Sequence, residues 1–93
     1  MKITDVKATN LAKTSQTIVQ VYTDGGITGV GHCDSTPYVR FIIEGDLKPV
    51  LMGKDPLEID VLWTAMYHRI AWHGLRGVSL HGMAAVDMAL WDI

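Results

Sequence analysis

The stretch Leu80 to Ile93, reading Leu-His-Gly-Met-Ala-Ala-Val-Asp-Met-Ala-Leu-Trp-Asp-Ile, constrains the fold more than any other. Ala, Leu and Met favour a helix, and here the apolar positions run nearly all the way round its axis, so cover on one face alone would not bury them. At about 100° per residue, His81 and Asp92 share one side, whereas Asp87 lies roughly 140° from Asp92 among apolar positions. A carboxylate placed there needs a partner, because isolating it costs several kcal/mol. The expected partners are backbone amides or an arginine such as Arg76. The run stops at Ile93 with no Gly cap, no basic last turn and no Pro, which predicts further polypeptide beyond it and apolar helix surface meant for that polypeptide.

Such a helix needs a sheet or other helices beside it, and the first third of the chain supplies a sheet. Lys2 to Thr9 and Gln16 to Thr23 are rich in Val, Ile and Thr and read as strands. Asp24-Gly25-Gly26 reads as a tight turn, and Thr28 to His32 as a third strand, giving an antiparallel meander. Gly29 and Gly31 alternate, so one face of the third strand has no side chains there and admits another backbone at close range. The glycine spacing does not fit a phosphate-binding loop.

The polar connections Asn10 to Ser15 and Cys33 to Thr36 both emerge at one end of this sheet. Thr36 followed by Pro37 starts a helix carrying Val39, Phe41, Ile42 and Ile43. Gly45 and Pro49 are expected to break or re-aim it, leaving Leu47, Val50, Leu51 and Met52 in a short second turn up to Gly53. Asp55-Pro56-Leu57-Glu58 has a capping-box pattern, which predicts a helix from Pro56 to Trp72 with Ile59, Leu62, Trp63, Met66 and Ile70 facing the core. Gly74 is expected to close it, with Gly74 to Gly77 turning into the last helix. The fold class expected is α+β: a three-stranded antiparallel meander followed by a small helical bundle.

Charge and composition exclude several functions. The formal charge is −2 and the eight Lys and Arg are scattered, so a nucleic-acid partner is not expected. No stretch reaches the roughly 18 uncharged apolar residues of a membrane span, and the N-terminus has no signal-peptide core. The single cysteine, Cys33, is read as a space-filling residue in a reducing compartment. A cytoplasmic protein is expected. His32, His68, His73 and His81 are the only imidazoles, and no pair has metal-binding helical spacing. His32, Cys33 and Asp34 alternate across a strand and do not converge on a metal. Asp87 and Asp92 face different sides, so they form no catalytic dyad, and no nucleophile elbow is present. These residues carry no catalytic centre of their own.

Three segments carry a resemblance: Thr23-Asp24-Gly25-Gly26-Ile27-Thr28-Gly29-Val30-Gly31-His32, Gly53-Lys54-Asp55-Pro56-Leu57-Glu58, and Arg76-Gly77 with Ala85-Val86-Asp87-Met88-Ala89-Leu90-Trp91-Asp92-Ile93. In this order and spacing the chain resembles the N-terminal capping domain of the enolase superfamily, in its mandelate racemase and muconate lactonizing branch. It departs from that pattern at His32, where the family often has an acid, and at Ala84-Ala85, where it often has Ser-Gly.

The resemblance implies that residues 1–93 are a cap placed before a TIM barrel of about 250 residues. In such enzymes three acidic barrel residues hold Mg2+, and a barrel base removes the proton α to a carboxylate. The catalytic and metal residues are then expected outside this stretch, and the domain is expected to be inert alone. The cap closes the barrel mouth with two loops that exclude water and select the substrate. By position these are Asn10 to Ser15 and His32 to Tyr38, with His32, Asp34, Ser35 and Tyr38 as the substrate-facing candidates. Hydroxyl, carboxylate and imidazole groups suit a hydroxyl-rich acid better than an aromatic one, so the expected activity is that of a sugar-acid dehydratase. Racemase and cycloisomerase chemistry are the alternatives within the branch, together with a free-standing non-catalytic binding or oligomerisation module. The branch forms symmetric oligomers, which makes a homo-oligomer the expected assembly.

Overall fold

A computed structural model describes residues 1–73 and 77–93. Three strands, β1 (Ile3–Asn10), β2 (Gln16–Thr23) and β3 (Thr28–Asp34), form an antiparallel sheet in the order β1-β2-β3. The register pairs Val6 with Val21 and Ala8 with Val19, and then Val21 with Gly29 and Val19 with Gly31. Strand alternation therefore collects Val6, Ala8, Val19 and Val21 on one buried face, with the two glycines continuing the same rows across β3.

The helices cover that face. Helix α1 (Val39–Ile42), a π-helical turn (Ile43–Leu47) and α2 (Lys48–Leu51) form one uninterrupted helical run, which lies against β1. Helix α4 (Val78–Asp92) crosses β3 and β2, and α3 (Ile59–Ile70) packs on both helical segments. The shared core consists of Val39, Ile43, Leu47 and Leu51 from the first run, Leu62, Met66 and Ile70 from α3, and Met83, Val86 and Leu90 from α4.

Helix α4 approaches the sheet closely because both surfaces are small there. A Cβ placed on Gly31 would stand 2.0 Å from the Ala85 carbonyl oxygen, and one on Gly29 would stand 2.0 Å from that of Ala89. The opposite side of α4 carries Leu80, Met88 and Trp91, all exposed. The helix is thus apolar on its solvent side as well, as its composition predicts.

Several boundaries differ from the sequence expectation. Pro37 lies in a turn, so α1 starts at Val39 rather than directly after Thr36. Strand β3 continues past His32 to Asp34, because Gln16 provides a partner for Asp34 and the Ser35 amide donates to the Ser15 carbonyl at 3.0 Å. Gly45 and Pro49 do not break the helix. The Lys48 amide reaches back five residues to the Ile43 carbonyl, and Pro49, next in line, has no amide to lose from the ladder. Asp55 caps a turn rather than a helix: its carboxylate accepts the Leu57 amide at 3.0 Å and its carbonyl the Glu58 amide at 3.1 Å. Helix α3 therefore starts at Ile59, and it passes after Ile70 into a 3-10 turn, Ala71–His73. The expected closure at Gly74 lies outside the described residues.

Candidate functional site

The β1–β2 connection and the β3–α1 connection meet at one end of the sheet because consecutive antiparallel strands return their odd-numbered turns to the same side. Local hydrogen bonds shape the first. Leu11 donates to the Gln16 carbonyl at 3.0 Å, Thr14 donates to Leu11, the Thr14 hydroxyl accepts the Gln16 amide, and Lys13 takes a positive φ of 63°. In the second, the Thr36 carbonyl accepts the Val39 amide at 3.1 Å and opens the turn into α1.

Side chains then join the two loops. The Ser15 hydroxyl donates to the Asp34 carboxylate, the Asn10 side-chain amide donates to the Pro37 carbonyl at 3.3 Å, and the Asn10 oxygen accepts the hydroxyl of buried Thr17 at 3.0 Å. A third element enters from α4, where His81 Nδ1 lies 2.9 Å from the Ser35 hydroxyl. Helix α4 meets the same strand again one helix length away, where the Asp92 carboxylate accepts the Val30 amide at 2.9 Å. Both contacts follow from the shared side of His81 and Asp92 on the helix.

Of the four candidates, Asp34 and Ser35 fall within one hydrogen-bonded cluster. His32 is exposed opposite Ile18, on the sheet face away from α4. The Tyr38 ring is 70% exposed and stacks on Phe41 with centroids 6.5 Å apart. Asn10, Ser15 and His81 belong to the cluster and were not singled out by the sequence. The usable signal was the strand register, which brings Ser15 beside Asp34; His81 needed the docking of α4 to be known. Cys33 points inward between these groups, and burial, with Asp34 acting in the same direction, pushes its thiol above the usual range. A thiol so placed is a poor nucleophile at neutral pH.

Asp87 lies on another side of α4. Burial pushes its carboxyl above the usual carboxylate range, with the Trp91 side chain opposing and Asp60 reinforcing the shift. Its Oδ1 has no hydrogen-bond partner among the described residues. The expected tie to backbone amides is therefore not seen there, and Arg76 lies outside the described residues. A pocket of about 300 Å³ lined by Leu57, Glu58, Ile59, Asp60 and Trp91 opens beside the start of α3. It is remote along α4 from the two loops.

A raised carboxyl value means that folding favours the neutral acid. Stability from this group is present below the ordinary value of 3.8 and is lost as pH rises through the folded value. Asp87→Asn is thus expected to melt above the parent at pH 7 and to lose that advantage near pH 3. Paired thermal melts at the two pH values check this, and a less stable Asn variant at pH 7 would contradict it.

The chain matches the model of the mandelate racemase / muconate lactonizing enzyme N-terminal domain over residues 3–93, and it belongs to that family. It is 35% identical over 98 aligned positions to the D-galactonate dehydratase family member RspA of Cellvibrio japonicus, an alignment that takes in 100% of this chain and 24% of that protein. It is 30% identical to the D-galactarolactone cycloisomerase of Agrobacterium fabrum, over 82% of this chain and 20% of the relative. A racemase from Streptomyces coelicolor solved with bound magnesium superposes with a TM-score of 0.88 at 26% identity, over 96% of this chain and 29% of the other. The chain thus spans about a fifth to a quarter of the length of the curated relatives it matches.

No group of three or more His, Cys, Asp or Glu side chains able to hold a metal ion occurs among the described residues. The donor set on these elements therefore does not fit a Mg2+ site. No helix among them is long and apolar enough to cross a membrane.

Proposed function

We propose that this domain is the substrate-selecting cap of a Mg2+-dependent enzyme that removes the proton α to the carboxylate of a sugar acid and eliminates water. The observation that carries this reading is the convergence of the two loops at one end of the sheet, where Ser15 with Asp34 and Asn10 with Pro37 hold them as a single polar unit. A unit of that kind, set over a second domain, excludes water and presents fixed hydrogen-bonding groups to a hydroxyl-rich substrate. The galactonate dehydratase name of a relative aligned across the whole chain points the same way. In this reading the metal ligands and the base belong to a separate catalytic domain. His32, Asp34, Ser35 and Tyr38 are the substrate-facing candidates, and the whole enzyme is a homo-oligomer. Cycloisomerase or racemase chemistry is the second reading, supported by the names of two other relatives.

The test is α-proton exchange and water loss from a panel of sugar acids in deuterated buffer with Mg2+, followed by proton NMR. The full-length protein is expected to exchange and to eliminate, and residues 1–93 alone to do neither. Exchange with inversion and no water loss would replace dehydratase by racemase. Turnover by residues 1–93 alone would overturn the cap reading.

A further inference from the structure

Asp34, Ser35 and Pro37 tie the second loop to the first, and the Ser35 hydroxyl in addition meets α4. The Ser35 main chain donates to the Ser15 carbonyl at 3.0 Å, while its side chain lies 2.9 Å from His81 Nδ1. His81 occupies the first turn of α4, and α4 is itself fixed to β3 by the Gly29 and Gly31 contacts and by the Asp92–Val30 bond. The imidazole thus links the polar loop to a helix seated on β3 at several points along its length.

We infer that His81 is a positioning residue: through Ser35 it holds the second loop in the conformation that faces the substrate, without touching substrate itself. This inference rests on the cap reading above for its effect on turnover, but the latch itself is independent of substrate class. His81 is exposed and Ser35 half-buried, so the link contributes little to global stability and acts on the local opening of the loop. A hydrogen bond of this kind changes a local opening equilibrium by about threefold to tenfold.

The geometry is specific about which atom acts. The contact is made by Nδ1, the ring nitrogen nearest Cβ. The side-chain amide of Asn places a polar atom at the same distance from the backbone, and that of Gln reaches one bond farther, toward the position of Nε2. His81→Asn is therefore expected to preserve the latch, and His81→Gln and His81→Ala to release it.

Amide hydrogen exchange and steady-state kinetics on the full-length protein test this. His81→Ala and Ser35→Ala are each expected to speed exchange of the Ser35 amide by about fivefold, the double variant to be no faster than either, and His81→Asn to restore parental exchange. On the sugar acid turned over best, His81→Ala is expected to raise KM several-fold with kcat changed less than twofold, and His81→Asn to restore it. Unchanged Ser35 exchange in His81→Ala, effects that add in the double variant, or rescue by Gln equal to that by Asn would each overturn the latch. If no sugar acid is turned over, the cap reading fails while the exchange arms still decide the latch. If exchange behaves as expected and KM does not move, the latch stands and its positioning role is overturned.

Discussion

Gly31→Ala is expected to abolish or nearly abolish folding of this domain, and Gly29→Ala to do almost as much. The added methyl carbon on Gly31 would sit 2.0 Å from the Ala85 carbonyl oxygen and 2.9 Å from the Ala89 amide nitrogen, both backbone atoms of α4. A rotamer change cannot relieve such a clash. Either α4 lifts from the sheet or β3 bends away, and either movement opens gaps around Met83, Val86 and Leu90, which are buried in the core. Overpacking of ordinary cores costs 1–3 kcal/mol, and a backbone-to-backbone clash belongs at or beyond the top of that range. A loss of about 3 kcal/mol lowers Tm by roughly 12–24 °C in a domain of this size.

The control for this experiment is Gly45→Ala. Nothing lies within 4 Å of a Cβ there and the backbone φ is not positive, so the substitution is expected to be neutral or to stabilise by up to about 1 kcal/mol. Thermal melts of the three variants decide the matter. Equal behaviour at positions 31 and 45 would show that close approach of α4 does not govern the fold.

The second large effect is expected from Leu47→Ala. Leu47 is fully buried in the π-helical turn, where β1, α3 and α4 all come against that segment. Truncation removes apolar burial and leaves a cavity that three different elements would have to move to fill, so the loss is expected at 2–5 kcal/mol. Urea denaturation should show a lower midpoint with an unchanged slope. Leu57→Ala, at a residue 65% exposed, is expected to stay within about 0.5 kcal/mol of the parent. A loss below 1 kcal/mol at Leu47 would mean that the π turn collapses onto the cavity, and that the helical run is looser than its burial implies.

These two sites also show what could be read from residues alone. The alternation of Gly29 and Gly31 announces a bare strand face and a close neighbour, and the nearly all-round apolarity of the last helix announces neighbours on several sides; that these two surfaces meet each other is seen only in the structure. Gly45 and Pro49 announce a break or a re-aiming, and no break occurs, because a wider helical turn takes up a missing amide without leaving the helix, an option that single-residue propensities do not register. Asp55 was misplaced for a related reason: the same Asp-Pro pair that begins a helix also closes a turn, and only the hydrogen bonds of Leu57 and Glu58 separate the two.

The candidate site was legible only in part. The polar loops and their common end of the sheet follow from strand count, and Asp34 and Ser35 were visible as polar residues at a strand end. Asn10, Ser15 and His81 were not, since their roles depend on which side chain stands beside which once the strands are in register and α4 is seated. Serine, asparagine and histidine on a surface look alike in sequence, whether idle or tied down.

The sheet's two outer strands also bear on how copies of this domain can meet. Along β1 the Ile3, Val6 and Ala8 amides are taken by the Lys54 carbonyl, the Asp5 carboxylate and the Glu44 carboxylate. Along β3 the central amide, that of Val30, is taken by Asp92. A foreign strand arriving at either border would have to evict carboxylates before forming a ladder. Self-recognition by main-chain zippering is thereby disfavoured, and neighbours are left to meet through side chains.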